Sequence, residues 1–125
     1  MSPSPSDLLR HLLDEVEFLL AQSVSISLEQ FKQDEILKRA FVRSLEIIGE
    51  AAGKLPEDLK QKHSQVDWRA MSAMRNRLIQ GYFGVDYEIV WDVVVSKVAE
   101  LRAVVLAMLE EPSETVEVYR ETPSD

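Results

Sequence analysis

Apolar residues recur along four stretches of this chain at the three- and four-residue spacing of a helix face. In the first stretch, about Asp7 to Gln22, Leu8, Leu12, Val16 and Leu19 form a stripe that Leu9, Leu13 and Leu20 widen. Ser6 stands where an N-cap is needed, and Asp7 suits the positive end of the helix dipole. Ser23 to Ser27 is serine-rich and β-branched and reads as a connection. The second helix starts at Leu28 or Asp34 and runs to Gly53, with Leu37, Phe41, Leu45, Ile48, Ala52 and Leu55 as its stripe. Gly53 fits the residue just past a helix end, and Pro56 follows. Gly49 falls mid-helix at a cost of about 1 kcal/mol relative to Ala. Close helix packing, here at a dimer seam, is the expected compensation.

Lys54 to Val66 reads as a polar connection. The third helix begins at the N-cap Asp67, turns Trp68, Met71, Met74 and Leu78 inward, and should stop at Gly81. The fourth begins at Asp86, with Val85 and Val90 placed as a hydrophobic staple. Val90, Val94, Val98, Leu101, Val105 and Met108 carry its stripe toward Pro112. The valines would also suit a strand, but the length and period of the run favour helix. The expected fold is all-α, an antiparallel four-helix bundle occupying residues 1–111. Residues 112–125 read as an acidic mobile tail, within which Thr115 to Tyr119 could pair as a strand with a partner.

A chain of 125 residues suits one core. Without cysteine, disulfides and thiolate metal sites are excluded. The opening MSPSPSD lacks the basic and apolar regions of a secretory signal, and no apolar run would span a bilayer. A cytoplasmic location and no membrane partner are therefore expected.

The net charge of −8 argues against a basic nucleic-acid coat. The charge is uneven, however. Trp68 to Val85 holds no Asp or Glu and contains Arg69, Arg75 and Arg77. That is a local cationic patch on an acidic body, unless those arginines pair with carboxylates of other helices. HExxH, GxSxG and phosphate-binding glycine loops are absent. His11 and His63 are isolated in sequence and read as surface residues.

The informative stretch is Arg75-Asn76-Arg77-Leu78-Ile79-Gln80-Gly81-Tyr82-Phe83. It resembles the HEPN motif Arg-x4-His-x-Tyr, with Gln80 where the histidine belongs. Phe41 to Ala52 (FVRSLEIIGEAA), Val66-Asp67-Trp68-Arg69 leading into Met74-Arg75-Asn76-Arg77, and Tyr82-Phe83 followed by Asp86 to Trp91 resemble successive helices of HepT toxins. The likeness covers about Asp7 to Leu109. It implies a metal-independent endoribonuclease toxin without cofactor, built as a two-fold homodimer whose two motifs line one cleft. It also implies a small nucleotidyltransferase antitoxin that transfers AMP to the motif tyrosine, here Tyr82. RNA is the implied substrate and DNA is not expected. The resemblance admits tRNA as the target, although no residue here selects it.

The residue types suit such chemistry. Metal-free RNA cleavage uses the ribose 2′-hydroxyl as nucleophile and needs proton transfer beside a cation at the phosphate. Arg75 can offer a forked guanidinium to two phosphate oxygens, with Arg77 and Arg69 as further phosphate contacts. Asn76 and position 80 are four apart, on one helix face, so Asn76 could orient that side chain or the RNA. Tyr82 could donate a hydrogen bond to phosphate. A glutamine amide cannot shuttle a proton, so Gln80 should leave binding intact and cleavage poor. The alternative is a non-catalytic HEPN module that binds a nucleotide or a nucleotidyltransferase partner.

Overall fold

Ser4 opens the first helix, α1 (Pro5–Ser23), by a reciprocal capping box. Asp7 N donates to Ser4 Oγ at 3.1 Å, and Ser4 N donates to Asp7 Oδ2 at 3.3 Å. The cap therefore lies two residues before the expected Ser6. The reason is Pro5, which suits a first helical position where no N–H is needed. The structure, a computed structural model, describes residues 3–78 and 84–111, without the side chains of Arg75 and Arg77. The expected acidic tail, the Thr115 to Tyr119 strand and the Gly81 helix end lie outside the described residues.

Leu28 and Asp34 both prove to mark helix starts. The expected single helix is two, α2 (Leu28–Gln33) and α3 (Glu35–Lys54). Asp34 breaks them apart. Its backbone is extended, ending α2, while its carboxylate accepts from Leu37 N at 2.9 Å and caps α3. At the far end α3 continues through Gly53 instead of stopping there. The helix ends at Leu55, which turns extended ahead of Pro56 and donates its N–H to Ala52 O at 3.3 Å. Buried Lys60, on α4 (Glu57–Gln61), adds a second bond to that carbonyl from Nζ at 3.1 Å. The remaining helices are α5 (Trp68–Leu78) and α6 (Tyr87–Glu110). Asp67 and Asp86 cap them as expected, through Ala70 N and through Glu88 N and Ile89 N.

The four long helices are the expected all-α bundle, with α2 and α4 as short additions. Phe18 meets Phe41 edge-on at 6.2 Å, and Ser44 Oγ donates to Glu15 Oε1 at 2.7 Å. Contacts that move back along α1 as they advance along α3 make those helices antiparallel. Glu17 pairs with Arg102, while Phe31, just beyond α1, stacks against Trp91 at 5.3 Å, so α6 also runs opposite to α1. The expected inner stripes of α1, α3 and α6 fill the core. Lys32 ties α2 to the start of α6 through Glu88 at 3.1 Å, and the bond to that carboxylate raises the ammonium's pKa.

Gly49 is buried at a contact within the chain, not reserved for a dimer seam. A Cβ there would stand 2.9 Å from Met71 O, so the α3 and α5 backbones touch. Gly49→Ala is therefore expected to destabilise despite the better helix propensity of alanine. The neighbour is main chain and cannot swing aside, and overpacking of this kind costs about 1–3 kcal/mol. Thermal unfolding checks it, and an unchanged or higher melting temperature would show that α5 yields freely.

Candidate functional site

The arginine-rich stretch occupies α5, and local forces hold that helix firmly at its start. Trp68 is buried and its Nε1 donates to His63 O at 3.0 Å. Ser72 Oγ returns a bond to Trp68 O. Met71, Met74 and Leu78 turn inward at helical spacing, as expected. His63 itself is not the surface residue its polar surroundings suggested. It is buried, and its Nε2 lies 2.7 Å from Glu111 Oε1, tying the end of α6 to the approach of α5. His11 is exposed, as expected.

Arg69 and Asn76 are seven residues apart, on one face of α5, and both are exposed. No ion pair joins Arg69 to another described residue, so at this position the cationic patch is not cancelled by a neighbouring carboxylate. The backbones of Arg75 and Arg77 lie in α5, one residue, or about 100°, either side of Asn76, while their side chains are not described. Gln80 and Tyr82 lie outside the described residues. After them, Gly84 takes a positive φ of 77°, which turns the chain into the Asp86 cap with no atom crowding it. Among the described residues no cluster of His, Asp and Glu could hold a metal ion, and no helix is long and apolar enough to cross a membrane.

Two features escaped the sequence reading. Arg39 and Arg43 stand exposed one turn apart on α3 without an ion pair among the described residues. Their spacing of four was the available signal. The second is an open groove between α5 and α6, floored by Met71, Met74 and Leu78 on one side and by Ile89 and Val93 on the other. Its only trace in the sequence is that α6 carries more apolar residues than one stripe requires.

Comparison with known proteins agrees with this arrangement. The family model for Ribonuclease HepT-like matches residues 12–108, from the middle of α1 to the end of α6. A protein of Caldanaerobacter subterraneus subsp. tengcongensis named as an RNase is 46% identical over 107 residues, covering 86% of this chain and 96% of the relative. A protein of Methanocaldococcus jannaschii, also named as an RNase, is 41% identical over 92 residues, covering 74% and 73%. One of Thermococcus cleftensis, named as a HepT ribonuclease, is 36% identical over 102 residues, covering 82% and 93%. No solved structure gives a significant match. The helix order, the capped α5 with its exposed polar face and a match over most of the sequence together make this chain a member of the HepT-like ribonuclease family.

Proposed function

We propose that this chain is the toxin-type ribonuclease scaffold of a toxin–antitoxin pair, acting on RNA, with its cleavage crippled by Gln80. The family match across residues 12–108, which encloses the whole arginine-rich stretch, carries this reading. Arg75 would clamp the scissile phosphate, with Arg77 and Arg69 as outlying phosphate contacts. Asn76 would orient the group at position 80 or the RNA. Tyr82 would donate to phosphate. A homodimer would bring a second set of these groups to one cleft. Single-stranded or looped RNA such as tRNA is the substrate class, and the location is cytoplasmic. Gln80 also favours a second reading, a HEPN module that binds a nucleotide or partner and does not cleave.

The partner in the first reading is a small nucleotidyltransferase antitoxin that moves AMP from ATP onto the Tyr82 hydroxyl, releasing pyrophosphate. An added phosphodiester puts negative charge and bulk close to Arg75 in sequence, where it would compete with RNA phosphate. Tyr87, the one tyrosine among the described residues, is half-buried, edge-on to Phe31 and covered by Lys38 Nζ at 4.6 Å. It is a poor acceptor for that reason. Incubation with the nucleotidyltransferase and ATP should add one AMP by intact mass, located at Tyr82 by peptide spectra and missing in Tyr82→Phe. Modification that persists in Tyr82→Phe removes this assignment and turns attention to Tyr87 or Tyr119.

A further inference from the structure

Helix α5 presents two unlike surfaces. Arg69 and Asn76 project from one. On the opposite side α5 and α6 diverge and leave an open groove of about 640 Å³. Its lining is apolar along both walls, with the buried Met71, Met74 and Leu78 of α5 at its base and the half-buried Ile89 and Val93 of α6 more open. On α6 the groove stripe Ile89, Val93 and Lys97 is separate from the buried stripe of Val90, Val94 and Val98, so α6 points apolar side chains in two directions. Along α6 the lining from Ile89 to Leu101 spans about 18 Å, or some three turns of a docked helix.

The charge at the rim is one-sided. Asp67, Asp86, Glu88, Asp92 and Glu100 line it against Lys97. Asp67 and Asp86 are committed to helix caps, and Glu88 is paired with Lys32. Asp92 and Glu100, about two turns apart on α6, have no ion pair among the described residues. Such a rim repels phosphate, so the groove does not suit RNA or a nucleotide. Among the described residues no polar side chain converges on its floor, as a small polar ligand would need. An apolar, helix-walled trough with an acidic rim complements an apolar helix face flanked by cations. Methionines on the floor can repack to fit it.

We infer that the α5–α6 groove is a docking site for an amphipathic helical segment of a partner protein, apolar on the face it inserts and flanked by Lys or Arg. This does not depend on whether the chain cleaves RNA, and its test reads binding alone. The probe is a fluorescein-labelled peptide of about 14 residues with Leu at helical spacing and Lys elsewhere, followed by fluorescence anisotropy. The same peptide with Glu in place of Lys is the comparison. The Leu/Lys peptide should bind, and Asp92→Lys with Glu100→Lys should weaken it about tenfold or more. Asp14→Lys with Glu29→Lys changes the net charge equally on exposed positions away from the groove, and should alter binding less than about twofold. All four positions are exposed, so folding should survive, and light scattering should read the same mass for every variant. Equal weakening by the two double variants, equal binding of the Leu/Glu peptide, or no binding would each overturn the proposal. Collapse of a dimer on Asp92→Lys with Glu100→Lys would overturn it in favour of a second copy of the chain in the groove.

Discussion

Gln80→His is expected to raise RNA cleavage in the presence of EDTA by about 10²–10⁴-fold, the usual worth of one positioned acid–base group. The guanidinium of Arg75, the amide of Asn76 and the phenol of Tyr82 are already present, so the substitution supplies only a group of near-neutral pKa. The products should carry 2′,3′-cyclic phosphate ends, because the attacking oxygen is the neighbouring 2′-hydroxyl. Host growth should slow when the variant is expressed. Arg75→Ala in the same background should abolish the gain by removing the charge that offsets the crowded phosphate. RNA left intact by a folded Gln80→His protein would sink the crippled-toxin reading and leave the non-catalytic module in its place.

Phe31→Ala should cost about 3–5 kcal/mol of folding stability. Phe31 is fully buried, with Phe41 at 4.8 Å, Trp91 at 5.3 Å and Tyr87 at 6.3 Å around its ring. It is the only buried residue of α2, so truncation both empties a cavity among three aromatic rings and releases the helix. Against a typical total of about 5–15 kcal/mol the loss would be severe. Urea unfolding measures it, with Phe31→Leu as the milder comparison. A cost below about 1.5 kcal/mol would mean that α2 is held by Ser27, Lys32 and the chain ends rather than by its aromatic anchor.

That anchor shows what the sequence hid. Long stripes such as Leu8–Leu19 and Val90–Met108 repeat over several turns, so α1 and α6 were legible from periodicity, as was most of α3. Helix α2 turns a single residue inward and α4 turns in Lys60, and neither makes a stripe. Gly53 looked like a helix end because local preference is all that a sequence displays. The helix runs on past it to Leu55, and the Lys60 ammonium that reinforces the end arrives from eight residues beyond Ala52. His63 looked exposed for the same reason, since its partner Glu111 is 48 positions distant. In the candidate site, the shared face of Arg69 and Asn76 follows from their spacing of seven. The groove does not, because it depends on how far α5 and α6 diverge.

The backbone contact at Gly49 gives α5 one close flank, and the groove leaves another flank open. Helices α1 and α3 each pack against two long helices, and α6 packs on α1 with α2 beside it, whereas α5 leans chiefly on α3. Hydrogen-exchange protection should be graded accordingly. Amides of α1, α3 and α6 would open only with the whole molecule, while α5 can open as a smaller unit at lower free energy. The helix that carries the arginines thus sits at the less stable end of the fold. Substitutions there can change the population of its folded form without unfolding the other three long helices.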